Sequence, residues 1–267
     1  MPSATTPTRV LVTRPAPEAG HWVAQLQARG IAASALPLID IAAQERHSAL
    51  AQACRDCAAP GHYRAVMFVS GNAVVHFFAA GAQLAPATRA WSPGPGTARA
   101  LQAAGVPAQQ IDGPPPDAAQ FDSEALWPVV RAQIQPGDRV LIVRGSPGAG
   151  AGPAGSGREW LAEQLRQAGA RIDFVAVYQR RAPQLAPAAL ALARAAAHDG
   201  TLWLFSSSEA IANLQRALPG TDWSQARALA THPRIAAAAQ QAGFGHVQEC
   251  RPALNAVAAS IESAHEH

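Results

Sequence analysis

The chain of 267 residues contains a long internal repeat, and this feature constrains its fold more than any other. The segment that begins at Phe68 matches the segment that begins at Phe205, 137 positions further on, and those from Pro95 and Pro233 match at a spacing of 138. Solenoid repeats have periods of roughly 20 to 50 residues. A repeat this long indicates a duplicated domain, so the sequence predicts two similar lobes.

Short apolar runs alternate along the chain with stretches that have the periodicity of amphipathic helices. Arg9–Thr13, Ala65–Val69 and Thr201–Phe205 are predicted to be buried strands, and a predicted helix follows each of them. This alternation is typical of parallel sheets with helices on both faces. The predicted fold is therefore α/β, with two similar three-layer domains that contain parallel sheets.

The segment Arg171–Arg181 alternates apolar with polar residues and is predicted to be an extended strand that carries Tyr178. The second half of the chain has too few strands of its own, so the N-terminal strand is expected to complete it. We therefore predict a discontinuous domain and a continuous domain joined by a two-stranded β linker. The predicted bounds are 1–38 with 182–267 for the first domain, 43–172 for the second, and about 38–42 and 173–181 for the linker strands.

Proline and glycine set three local expectations. Ile31–Ile41 is predicted to be one strand interrupted at Pro37. Asp112–Pro116 is predicted to be a rigid loop. The helix that opens at Ser123 is predicted to run to about Ile134.

The composition excludes several classes of function. All 21 basic residues are arginine, so there is no lysine for a P-loop, a Schiff base or a pyridoxal anchor. The net charge of +3 is spread along the chain, which argues against nucleic-acid binding. No apolar run reaches the length of about 18 residues that a membrane span needs, and the polar N-terminus is unlike a signal peptide. Three cysteines, an odd number, favour the reducing cytoplasm.

Polar residues occur where predicted helices begin, at Ser70–Asn72, Gly96–Thr97, Ser123 and Ser206–Ser208. Serine, threonine and asparagine are preferred N-cap residues, so each position alone is explained by capping. Helix N-termini also bind anions, and in doubly wound sheets they meet at the carboxyl ends of the strands. Several such positions in both lobes predict an acidic ligand.

Three other patterns have alternative interpretations. Gly150–Gly155 fits the glycine spacing of a dinucleotide-binding loop, but its surroundings consist of Gly, Ala, Ser and Pro, which favours a flexible loop. Cys54 and Cys57 lie on a predicted helix without a second pair. They could form a zinc or redox site, and packing in the core is the favoured interpretation. His232 and Arg234 could meet an anion, or His232 could simply precede a proline at a helix start.

The chain resembles the uroporphyrinogen-III synthase family over essentially its full length. The resemblance is carried by the order and spacing of short stretches: Val10–Pro15, Phe68–Val74, Gly94–Ala98, Ser123–Leu126, Val140–Gly145, Val177–Arg180, Phe205–Ala210 and His232–Ala236. It implies two α/β domains, one of them discontinuous, joined by a two-stranded ladder. It also implies a cyclising hydro-lyase of tetrapyrrole and heme biosynthesis that needs no cofactor and no metal.

The implied substrate is hydroxymethylbilane, a linear tetrapyrrole with eight carboxylates. The enzyme of this family closes it with inversion of ring D, through loss of the hydroxyl group and a spiro intermediate. Tyr178 matches the tyrosine that is proposed to help the hydroxyl leave, and is the expected catalytic residue. The expected substrate-binding residues are Thr13, Arg14, Ser70, Asn72, Gly96, Thr97, Ser123, Ser207, Ser208 and Arg234.

Two alternatives remain open from the sequence alone. One is a non-catalytic, two-lobed binding module for an acidic ligand, and the other is a nicotinamide-dependent enzyme. The expected partner is a small molecule, with no nucleic acid or membrane involved, and the expected state is a cytoplasmic monomer.

Overall fold

The computed structural model describes residues 9–44, 47–146 and 156–263, and for residues 156–158 it describes the backbone only. The chain divides into two compact units: Met1–Asp40 with Ala182–His267 form unit 1, and Ile41–Arg181 forms unit 2. The glycine-rich stretch Gly150–Gly155 lies outside the described residues.

Strands and helices alternate through the described part of the chain. The strands are β1 (Val10–Val12), β2 (Ala33–Ala35), β3 (Asp40–Ala43), β4 (Ala65–Phe68), β5 (Arg89–Trp91), β6 (Ile111–Asp112), β7 (Arg139–Ser146), β8 (Arg171–Arg181), β9 (Leu202–Phe205), β10 (Arg227–Ala230) and β11 (His246–Glu249). The helices are α1 (Ala16–Gln27), α2 (Ser48–Ala58), α3 (Gly71–Ala79), α4 (Pro95–Ala103), α5 (Ser123–Val130), α6 (Ser156–Gln167), α7 (Pro187–Ala196), α8 (Ser208–Ala217), α9 (Pro233–Gln241) and α10 (Leu254–Ser263). Two short 3-10 helices span Ala108–Gln110 and Arg131–Gln133.

Unit 1 contains a five-stranded sheet in the order β11-β10-β9-β1-β2. Its strand pairs are parallel, and β1, from the N-terminal segment, lies between β9 and β2. Val12 and Leu204 belong to a buried cluster with residues of α1 and α10. Trp203, whose side chain alternates with that of Leu204, packs instead against Trp223 and Phe244. Because successive strand residues face opposite sides, apolar residues cover both faces of this sheet.

Unit 2 contains a six-stranded sheet in the order β3-β8-β7-β4-β5-β6. Val66 and Phe68 of β4 lie in a buried cluster with residues of α2, α3 and α4. Met67, between them, lies in a second cluster with Leu126 of α5 and Leu161 of α6. The two clusters are on opposite faces of the sheet, so this unit has three layers.

The α/β fold with two sheets of mostly parallel strands is confirmed. The repeat also has a structural basis, because β4-α3-β5-α4 of unit 2 and β9-α8-β10-α9 of unit 1 follow the same order. The N-cap residues of α3 and α8, Ser70 and Ser207, occupy corresponding positions.

Three local expectations are confirmed only in part: the break near Pro37, the loop over 113–116 and the helical stretch after Ser123 are present, but with different bounds. Ile31–Ile41 forms two strands, β2 and β3, which belong to different sheets. The backbone N–H groups of Leu36 and Leu38, on either side of Pro37, still donate to the carbonyl oxygens of Val12 at 2.9 Å and Thr13 at 3.3 Å, while Pro37 itself has no N–H to donate. Ile111–Asp112 is a strand, β6, at the edge of the sheet, where only two residues pair with β5. Helix α5 ends at Val130, and the 3-10 turn that follows takes the chain to Gln133.

Among the described residues, no helix is long and apolar enough to cross a membrane. The same residues contain no group of three or more His, Cys, Asp or Glu side chains that could hold a metal ion.

Candidate active site

Tyr178 lies near the end of β8 and is nearly fully buried, with 2 % of its surface exposed. Its hydroxyl shares a hydrogen bond of 3.2 Å with Oγ of Ser70. The ring of His76 lies beside the phenol, with 5.6 Å between ring centroids. The buried tyrosine therefore contacts the first two turns of α3, the helix that follows β4 of the same sheet.

Ser70 is the N-cap of α3, and its Oγ accepts a hydrogen bond from the backbone N–H of Ala73 at 3.3 Å. A serine oxygen has two lone pairs and one proton. It can accept from Ala73 and from Tyr178 together and still donate its own proton to a third group. Ser70 is only half buried, so that third group can be a ligand.

The first turns of α3 and α4 lie side by side. A Cβ atom added to Gly71 would lie 3.6 Å from Cβ of Ala100 and 3.8 Å from the carbonyl oxygen of Gly96. The predicted residues Asn72, Gly96 and Thr97 all belong to these two turns. Neither first turn contains an acidic residue, and α4 has no side-chain cap. Both N-termini therefore keep their partial positive charge available to an anion.

The N-terminus of α5 carries acidic residues, unlike the N-termini of α3 and α4. Its N-cap is Asp122, whose carboxylate accepts from the N–H of Ala125 at 2.8 Å, and Glu124 adds a second acid. Ser123 is buried as the first residue of the helix, on the sheet face opposite that of α3 and α4. Two carboxyl groups at this N-terminus disfavour an anionic ligand there.

His76 is half buried, and its burial lowers the pKa of the imidazole. A lowered pKa favours the neutral ring at neutral pH. The phenol of Tyr178 therefore faces an uncharged neighbour on α3.

In unit 1, Thr13 and Arg14 follow β1 at the carboxyl end of the sheet. The Thr13 hydroxyl is buried and donates to the carbonyl oxygen of Leu204 at 2.7 Å, so it joins β1 to β9. The Arg14 guanidinium lies 3.2 Å from a Glu18 carboxylate oxygen and 4.3 Å from the centre of the Trp22 ring. Burial lowers the pKa of Arg14, and the Glu18 carboxylate opposes this shift. Its buried Nε has no hydrogen-bond partner among the described residues.

The other predicted residues of unit 1 open α8 and α9. Ser207 caps α8 and accepts from the N–H of Glu209 at 3.3 Å, and Ser208 is the first residue of that helix. His232 caps α9 through Nδ1, which accepts from the N–H of Arg234 at 3.0 Å. Because β9 and β10 are parallel neighbours, these two helix starts lie at the same edge of the sheet.

The paired cysteines are core residues. Cys54 and Cys57 both lie on α2 and are buried in the cluster that this helix shares with α3 and α4. Burial raises the pKa of Cys57 to about 12, with smaller contributions from Cys54 and Asp56. A thiol with so high a pKa is a poor nucleophile and a poor metal ligand at neutral pH.

Three residues near the site were not anticipated from the sequence. Asp122 was passed over because Ser123, the next residue, is also a preferred cap. His76 lies one helix turn beyond Asn72, and no pattern in the sequence indicates that it faces Tyr178. Gly145 lies within a stretch that carries the family resemblance. Its contact with the ring of Tyr178 depends on the pairing of two strands and cannot be predicted from the sequence around Gly145.

The fold and these sites define a class: a two-unit α/β protein whose polar residues gather at the carboxyl ends of parallel strands, where ligands bind in such sheets. A family model described as uroporphyrinogen-III synthase HemD matches residues 20–259. The uroporphyrinogen-III synthase of Synechococcus elongatus is 30 % identical over 228 residues, covering 80 % of this chain and 77 % of that protein.

Two solved structures have the same fold. The uroporphyrinogen-III synthetase of Helicobacter pylori aligns with a TM-score of 0.56 and 14 % identity, over 96 % of this chain and 99 % of that one. A mutant uroporphyrinogen III synthase of Thermus thermophilus aligns with a TM-score of 0.53 and 16 % identity, over 97 % of each chain. The chain belongs to the uroporphyrinogen-III synthase family, the cyclising lyases of tetrapyrrole biosynthesis.

Proposed function

We propose that the chain closes hydroxymethylbilane to uroporphyrinogen III with inversion of ring D, and that Tyr178 and Ser70 deliver the proton for loss of the hydroxyl group. Family membership supports the reaction. The hydrogen bond between the two hydroxyl groups, 3.2 Å long, is the observation that supports their role.

The proton is passed in two steps. Tyr178 is nearly fully buried, so its phenol donates to Ser70, and Ser70 donates its own proton to the substrate hydroxyl. The C–O bond then breaks, its electron pair stays on oxygen, and water leaves. The adjacent pyrrole nitrogen donates electron density to the carbon left behind. The barrier falls because donor and leaving group are already in contact.

The substrate carboxylates bind at helix N-termini. In unit 2 these are the first turns of α3 and α4, where Asn72, Gly96 and Thr97 lie and no acidic residue opposes an anion. In unit 1 the corresponding positions are the start of α8, with Ser207 and Ser208, and the start of α9, with the Arg234 side chain. Arg14 adds a buried positive charge.

Two residues of the expected set have surroundings that disfavour a direct contact with a substrate carboxylate. The hydroxyl of Thr13 already donates within the sheet, so its contribution is to hold Arg14 in place. Ser123 lies beside two carboxyl groups, which weaken a carboxylate contact there.

The reaction as proposed uses this linear tetrapyrrole as its one small-molecule partner and needs no metal, cofactor, nucleic acid or membrane. We further propose that the enzyme works as a cytoplasmic monomer. The odd number of cysteines, with Cys54 and Cys57 buried in the core, supports a reducing compartment.

The test is to incubate the purified chain with hydroxymethylbilane alone and to identify the product isomer. Isomer III is expected without any additive. Isomer I formed at the spontaneous rate would contradict the proposal and leave a non-catalytic binding module. A requirement for NAD would instead support a nicotinamide-dependent enzyme.

A further inference from the structure

Strand β8 contains a β-bulge opposite the end of β7. Arg144 pairs with Ala176, but Gly145 pairs with Tyr178, so Val177 has no counterpart on β7. Side chains of a regular strand alternate between the two faces of the sheet. One extra residue in the ladder reverses this alternation for the residues that follow it.

The bulge decides which face of the sheet receives the tyrosine. Phe174 packs against the cluster of α5 and α6, whereas Val175 and Val177 lie in the cluster of α2, α3 and α4. Strict alternation would place Tyr178 on the face of Phe174. It lies instead in the same cluster as Val177, on the face that carries Ser70.

Gly145 provides the space for the phenol ring. A Cβ atom at this position would lie 2.4 Å from Cε2, 2.6 Å from Cζ and 3.0 Å from Cδ2 of Tyr178. Real Cβ atoms do not approach other atoms so closely, so any side chain at position 145 has to displace the ring. The φ angle of Gly145 is not positive, unlike that of nine other glycines, so space rather than backbone conformation requires glycine here.

We propose that Gly145 is a positioning residue: together with the bulge at Val177, it sets the phenol of Tyr178 against Ser70. The inference rests on the proposed role of Tyr178 in turnover. Gly145 does not touch the substrate. It acts through the ring of Tyr178 beside it, whose hydroxyl bonds to Ser70 and whose face lies near the His76 ring.

The first test follows the ring itself by ¹⁹F NMR on protein labelled with 3-fluorotyrosine. The chain has only two tyrosines, Tyr63 and Tyr178, so the spectrum contains two assignable signals. Gly145→Ala should shift the Tyr178 signal and leave that of Tyr63 in place. An unchanged Tyr178 signal in a folded Gly145→Ala protein would overturn the proposal.

The second test measures turnover with hydroxymethylbilane. Gly145→Ala should lower kcat by roughly 10²-fold, the scale expected for a misplaced proton donor, with KM within about threefold of wild type. The double variant Gly145→Ala/Tyr178→Phe should be no slower than Tyr178→Phe alone, because both changes disable one group. Independent, additive losses in the double variant would overturn the proposal. Gly20→Ala is the matched control, since a Cβ at Gly20 meets nothing within 4 Å, and it should leave kcat and both signals unchanged.

A third comparison covers the case in which Gly145→Ala does not fold. Truncating the ring removes the collision, so Gly145→Ala should lower the melting temperature much less in a Tyr178→Ala background than in wild type. Equal losses in the two backgrounds would overturn the proposal. If Tyr178→Phe keeps full turnover, the proton role of the tyrosine fails. The ¹⁹F and melting comparisons still decide whether Gly145 positions the ring.

Discussion

Removing only the hydroxyl oxygen of Tyr178 distinguishes a catalytic role of this residue from a packing role. Tyr178→Phe keeps the buried ring and removes the hydroxyl that bonds to Ser70. If that hydroxyl supplies the proton, turnover should fall by roughly 10² or more. Product affinity should change little, because in the proposed binding mode the carboxylates bind at helix N-termini and not at Tyr178. The measurements are single-turnover rates with hydroxymethylbilane and product binding by calorimetry.

The other tyrosine is the natural control for this substitution. Tyr63 is also buried, and its hydroxyl donates to Asp173 at 3.1 Å, away from Ser70. Tyr63→Phe should lower the melting temperature and keep turnover within about twofold, since the loss of one hydrogen bond costs about 1 kcal/mol. Near-normal turnover in Tyr178→Phe with a lowered melting temperature would make Tyr178 a packing residue.

His76 should make the stability of the protein depend on pH. Its burial lowers the pKa of the folded-state imidazole below the unfolded value near 6.5. The unfolded chain therefore takes up a proton first as the pH falls, so stability is greatest above about pH 7 and decreases through the range from about 6.5 downward.

Thermal melts between about pH 7.5 and pH 5.5 should show this loss, and His76→Asn should reduce it. His246→Asn, at an exposed position on β11, should follow the wild-type profile. A His76→Asn protein with an unchanged pH profile would show that another group is responsible.

How well the site could be predicted differs from residue to residue. Ser70 and Ser207 could be located, because a serine between an apolar strand and a helical pattern has few other positions to take. The contact of Ser70 with Tyr178 joins residues 108 positions apart and depends on the bulge at Val177. Nothing in the local sequence indicates a bulge, so the sequence predicts a tyrosine at the strand end but not the face it occupies.

At the scale of the helices, Asp122 and not the predicted Ser123 is the N-cap of α5. Its carboxylate caps α5, while Ser123 is already inside the helix. Asp122→Ala should cost about 1 kcal/mol of folding free energy, the usual value for a lost N-cap. Ser123→Ala should cost less than half of that. Urea unfolding monitored by circular dichroism measures both, and a larger loss in Ser123→Ala would assign the cap to the serine.

Most helices and strands could be predicted, because apolar periodicity and glycine stops mark them along the chain. Arg171–Arg181 was predicted with the bounds that β8 has. The predictions fail where hydrogen bonding to a neighbouring strand determines the bounds of a strand. Strand β6 is only two residues long, and β7 extends three residues beyond its apolar run because these residues pair with β8. Such pairing joins segments that are distant in the sequence, so the periodicity of one segment cannot predict it.

At the scale of the molecule, the two units differ in how the chain builds them. The sheet of unit 2 is made of β3 to β8, which are consecutive in the chain, whereas β1 of unit 1 comes from the N-terminal segment and lies inside its sheet. The two halves share a repeat, and yet only one of them is a continuous segment. Duplication alone therefore does not explain the arrangement, since unit 1 is complete only with its first two strands.

This difference predicts that unit 2 folds alone. The fragment Asp40–Arg181 keeps every strand of the six-stranded sheet and both buried clusters on its faces. It should unfold cooperatively in urea with an m-value of about 2 kcal/mol/M, within the range for single domains. Far-ultraviolet circular dichroism during urea titration provides the measurement.

A shorter fragment, Asp40–Gly169, provides the matched control. It lacks β8, which lies between β3 and β7, and with it the core residues Val175, Val177 and Tyr178. Without them β3 has no neighbour and one face of the sheet loses part of its core, so this fragment should show no cooperative transition. If the longer fragment also fails to unfold cooperatively, unit 2 depends on unit 1 for its stability.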